Sequence, residues 1–184
     1  MAHLILASAG NFNYRNSCLS EEGLKQIGQL AAAIKYSINH SPVHIISSTA
    51  FPSINSAKQL ALELNLLQEV EINQYFNDFF NGHNHEEWPG SYHRSNSIIH
   101  TKLEQAENLI IVSDGRTLGT LFHYARFTYY NDPSILFGQH PGIAMDMDLE
   151  QRTCQLMPNK QMKKAMEREQ RSSLHRTEQE DSNL

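Results

Sequence analysis

Several residues in this sequence have the types and spacing that chemistry requires. His83-Asn84-His85-Glu86-Glu87 sets two histidines and two carboxylates close together, a donor set that ligates zinc if a further ligand arrives from elsewhere. A closed zinc site takes about four ligands and no second cluster supplies the rest, so the expectation is a solvated polar loop with no metal or other cofactor. Ser8, Asp114 and a histidine such as His83 have the makings of a nucleophile, an acid and a base. Such a triad is recognised by geometry and not by order along the chain, and Ser8 is expected to be an ordinary strand-end residue. Arg15 and Arg116 can offer positive charge to an anion, although arginines facing solvent or in salt bridges are the usual outcome. Cys18 and Cys154 lie far apart without metal-ligand spacing, which reads as two reduced thiols and a cytoplasmic setting.

The elements that must position these groups follow from periodicity. Strand-like runs at His3–Ser8 and Val43–Ser48 alternate with helical patterns from about Ser20 to Ile38 and from about Pro52 to Asn65. Leu24, Ile27, Leu30, Ala31 and Ile34 recur at helical spacing in the first helix, and Ile54, Ala57, Leu60, Ala61 and Leu64 in the second. Ser20 followed by Glu21 and Glu22 is a helix start, with a capping hydroxyl and acidic residues where the helix dipole favours them. A short strand around Val70–Ile72, a helix from about Ser91 to Gln105, an apolar strand Leu109–Ser113 and a helix opening at Gly115 and running through Ala125 come next. Gly142–Met157 reads as two strands with a turn near Glu150-Gln151. Near-continuous apolar strands separated by helices predict an α/β fold: three αβα layers around a mostly parallel sheet, with a hairpin at one edge.

The expected division is a domain over residues 1–158 and a charged tail over 159–184 that is disordered or partly helical, since the tail lacks aromatic residues and is almost wholly polar. Met157, Met162, Ala165 and Met166 can form a short apolar stripe along its start. The opening residues lack the basic start and the apolar length of a signal peptide. No apolar run approaches a membrane span, and a net charge of -5 argues against nucleic acid.

Four ordered segments resemble the histidine-phosphatase, or phosphoglycerate-mutase-like, superfamily. That family opens with a strand ending in R-H-G, where this chain has Ser8-Ala9-Gly10, and a helix opening L-T-x-x-G-x-x-Q, where it has Leu19-Ser20-Glu21-Glu22-Gly23-Leu24-Lys25-Gln26. The family's S-S-x-x-x-R-A-x-x-T-A resembles Ser47-Ser48-Thr49-Ala50-Phe51-Pro52-Ser53-Ile54-Asn55-Ser56-Ala57. Its L-x-E-x-x-x-G resembles Phe76-Asn77-Asp78-Phe79-Phe80-Asn81-Gly82, and its V-S-H-G-x-T-L resembles Val112-Ser113-Asp114-Gly115-Arg116-Thr117-Leu118. The resemblance implies a phosphoglycerate-mutase-like fold over residues 3–157.

The resemblance also implies where chemistry would sit. Family members move a phosphoryl group to a histidine, with a carboxylic acid protonating the leaving group and two arginines plus a second histidine holding the phosphate. In this chain the nucleophile position is Ala9, the arginine positions are Ser8 and Pro52, the second histidine position is Asp114, and the acid position keeps a carboxylate, Asp78. A methyl group accepts no phosphoryl. Two carboxylates about 4 Å from a phosphate would each repel one unit of its charge by roughly 4 kcal/mol at an effective dielectric near 20. The expectation is therefore a pseudoenzyme that binds other proteins as a subunit, adaptor or scaffold.

Candidate partner-binding residues are Trp88, Tyr129, Tyr130 and Phe137, together with Met162 and Met166 of the tail. The tail's acidic end, Glu178-Gln179-Glu180-Asp181, weakly resembles the carboxy-terminal signals of bacterial type IV secretion substrates, which points to an effector or a secretion-related assembly. The alternative is a phosphate-ester hydrolase with a different mechanism, or a small-ligand sensor, built on Asp78 and Asp114 with Arg15 and Arg116 nearby. A self-associating structural protein, such as a homodimer, is the third class.

Overall fold

A computed structural model describes residues 3–38, 42–77, 88–124 and 140–158, without the side chains of 88–92, 123 and 124. Its centre is a sheet of six strands in which β1 (His3–Ser8), β4 (Val43–Ser47), β5 (Glu71–Ile72) and β6 (Asn108–Ser113) run parallel, while β7 (Ala144–Asp148) and β8 (Thr153–Met157) form the antiparallel edge. The strand order is β5-β4-β6-β1-β7-β8. A separate two-stranded ribbon, β2 (Phe12–Asn13) with β3 (Cys18–Leu19), follows β1.

The apolar runs are continuous because the parallel strands are buried on both faces. Ile5, Ala7, Ile45 and Ile110 face a core shared with Ile27, Leu30 and Ile34 of α1 (Glu21–Ile38) and Ala57 and Leu60 of α2 (Phe51–Glu63). The intervening residues Leu4, Leu6, Ile46 and Ile111 face a second core with Ile99 of α3 (Trp88–Gln105) and Leu118, Leu121 and Phe122 of α4 (Gly115–Tyr124). Each fully buried aliphatic or aromatic side chain contributes about 1.5–3 kcal/mol, so the two cores supply most of the drive to fold. The three-layer αβα arrangement expected from the alternation is the one observed.

Most element limits agree with the periodicity, with Ser20 capping α1 through Gly23 N donating to its Oγ at 3.0 Å. Some readings need correction. Leu24 has the helical spacing of a core residue yet is 44% exposed, because the inward stripe of α1 is carried by Gly23, Ile27, Leu30, Ala31 and Ile34. α3 begins at Trp88, before the expected start near Ser91, and the β2–β3 hairpin between β1 and α1 has no counterpart in the periodicity. Met157 is wholly buried at the end of β8, and Met162, Ala165 and Met166, the rest of the apolar stripe, lie outside the described residues. Asp78, the His83–Glu87 cluster, Tyr129, Tyr130, Phe137, Ala125 and residues 159–184 lie outside the described residues, as does the side chain of Trp88. Among the described residues no helix is long and apolar enough to cross a membrane.

Candidate functional site

Open α/β sheets place their sites at the carboxyl ends of the parallel strands. Here that edge carries a row of serines. Ser8 pairs in register with Ser113, and Ser47 with Val112, so Ser48 continues the same row on β4. Ser8, Ser47, Ser48 and Ser113 are all buried. The loops that leave these strands run to the amino ends of α1, α2 and α4, and Ser8, Ala9, Arg15, Pro52, Asp114 and Arg116 lie in or directly beside them.

The loop after β1 is fastened from several sides. Ser20 N and Ser20 Oγ donate to Asn11 O at 2.9 and 3.2 Å, and Asn11 N donates to Gln26 Oε1 at 2.9 Å. Gly23 is required by space: a Cβ there would lie 2.1 Å from Asn11 O. Gly10 N donates to Ser56 Oγ at 3.0 Å, and Ser56 Oγ donates to Pro52 O at 2.7 Å, which ties the loop to the first turn of α2. On the other side Gly142 N donates to Ala9 O at 3.0 Å. Gly142 has φ +70°, and a Cβ would meet Gln26 Cβ at 2.5 Å, so both conformation and space call for glycine. The Leu19–Gln26 motif is therefore a set of loop-building parts.

Of the positions marked for chemistry, Ser8 and Asp114 are engaged in the architecture. Ser8 Oγ lies 3.0 Å from His140 O and 3.1 Å from Ile143 O, accepts from Ile143 N at 3.1 Å, and so spends its proton on a carbonyl. A nucleophilic serine would instead give that proton to a base. Ala9 presents only a methyl group. Pro52 sits in the first turn of α2, where its missing N–H costs no helical bond, and Ala50 provides no side-chain cap to that end.

Asp114 caps α4. Its Oδ1 accepts from Arg116 N and Thr117 N, both at 3.0 Å, and its Oδ2 accepts from Thr117 Oγ1 at 2.7 Å with Ser113 Oγ at 3.3 Å. Those backbone donors are the ones a helix amino end would otherwise aim at an anion. An internal carboxylate fills that place. Arg116 and Arg15 have exposed side chains, one in the first turn of α4 and the other in the turn of the β2–β3 hairpin.

Asn77 joins this edge together in a way the sequence did not signal. Its Oδ1 accepts from Thr49 N at 2.8 Å and Thr49 Oγ1 at 3.0 Å, while its carbonyl lies 3.1 Å from Thr117 Oγ1. The loop after β4 and the start of α4 are thus held at fixed separation by the residue before Asp78. Nothing in residue type or spacing announces this role, because an asparagine before an aspartate is common in any loop. Among the described residues no group of three or more His, Cys, Asp and Glu is arranged to hold a metal ion, and both cysteines are free.

No protein-family model and no curated protein matches the sequence. Solved structures do match in fold. A mycobacterial glucosyl-3-phosphoglycerate phosphatase is 14% identical, with TM-score 0.57, over 85% of this chain and 98% of the other. A phosphoglycerate mutase from Plasmodium falciparum is 16% identical with TM-score 0.52, covering 86% of this chain and 90% of the other. An alanine-substituted phosphoserine phosphatase from Entamoeba histolytica, solved in complex with phosphoserine, is 17% identical with TM-score 0.54, covering 85% of this chain and 95% of the other. The fold of this chain is that of the phosphoglycerate-mutase-like phosphatases.

Proposed function

We propose that this chain is a phosphatase-like fold without phosphoryl-transfer chemistry, serving as a protein-binding subunit or adaptor. One observation carries the reading. Where the chain resembles the family pattern, the letters it keeps are those that build the loops: Gly10, Ser20, Gly23 and Gln26 each hold or admit a specific backbone contact. The arginine and histidine letters that would hold phosphate are replaced, with only the carboxylate Asp78 kept, and Ser8 and Asp114 in their place are tied into the scaffold. The alanine-substituted Entamoeba enzyme, bound to phosphoserine, is the useful contrast: losing one histidine does not by itself empty a pocket. In this chain the positions of both arginines and of the second histidine differ as well, which removes the positive charge that phosphate needs.

The test is turnover of p-nitrophenyl phosphate and phosphoserine by the purified full chain, with phosphoserine binding followed by calorimetry. The expected result is hydrolysis at the buffer rate and no binding heat. Turnover that Asp78→Ala abolishes would overturn the absence of chemistry. The adaptor half is tested by affinity purification of the tagged chain with mass spectrometry, followed by reconstitution with the purified candidate. A chain that stays monomeric and forms no reconstituted complex would overturn it, and a homodimer alone would favour self-association.

A further inference from the structure

We draw no further inference here: the strongest candidate, the exposed aromatic surface that Tyr14 of the β2–β3 hairpin and Phe51 of α2 leave at the carboxyl edge of the sheet, carries nothing because nothing in the structure shows what covers it.

Discussion

Replacing Asp114 with alanine tests whether its carboxylate is a scaffold part or a ligand group. The substitution removes the acceptor of two backbone N–H groups of α4, each at 3.0 Å. Loss of an amino-terminal cap costs about 1 kcal/mol, and loss of a negative charge facing the helix dipole costs about 0.5 kcal/mol more. The buried Thr117 hydroxyl adds little, because it can turn to Asn77 O at 3.1 Å. The sum is about 1.5 kcal/mol, and at roughly 2–4 °C per kcal/mol for a chain of this size the midpoint falls by about 3–6 °C. Asp114→Asn retains a capping oxygen and loses only the charge, so about 0.5 kcal/mol should go, and that difference from wild type should shrink in 1 M salt. Urea unfolding followed by circular dichroism reads all three proteins, with the midpoint moving at constant slope. If Asp114→Ala is as stable as wild type, or more so, the reasoning fails. Groups held for binding often cost stability, so that result would return Asp114 to the list of ligand residues.

Asp146 is buried among His3 Nδ1 at 2.7 Å, Ser37 Oγ at 2.5 Å and Gln155 Nε2 at 3.1 Å, so Asp146→Ala should cost about 3 kcal/mol in urea unfolding, and a loss below about 1 kcal/mol would contradict that account. Among the described residues the buried Ser48 hydroxyl has no partner, so Ser48→Ala should leave stability unchanged or raise it by up to about 1 kcal/mol in the same assay, whereas a clear loss would reveal a bound partner. Burial pushes the Glu71 carboxyl up, but contacts to Lys102 at 2.6 Å, His44 at 3.0 Å and Asn73 outweigh it and hold the group below the ordinary carboxylate value. Its contribution is therefore present above the ordinary carboxylate range and lost as pH falls through that range and below it. Glu71→Gln should cost about 0.5–1 kcal/mol at neutral pH, and its deficit against wild type should close on acidification; a deficit that grows in acid would contradict the sign.

The sequence by itself determined the layers and the start of α1. Period-2 and period-3.6 patterns reflect which faces are dry, and that is a local property of each strand and helix, so β1, β4, β6, both principal α1 and α2 faces and the final hairpin were legible from residues alone. The capping serine at residue 20 was legible for the same reason. Leu24 was misread because spacing defines a stripe but not its edge, and only the packing of α1 on the sheet decides which side of the stripe meets water. The site divides in the same manner. That Ala9 offers no nucleophile is a fact of its side chain, whatever the fold. What only the tertiary structure decided is the use made of the neighbouring groups: Ser8 bonded to the backbone at residues 140 and 143, Asn77 bridging Thr49 and Thr117, and Gly23 admitting the carbonyl of Asn11. These partners are far apart in the chain or lie in loops without periodicity, so no local pattern encodes them. Asp114 stands between the two cases, since its cap is local to α4 but its place beside Asn77 and Thr117 at the carboxyl edge of the sheet is set by the fold.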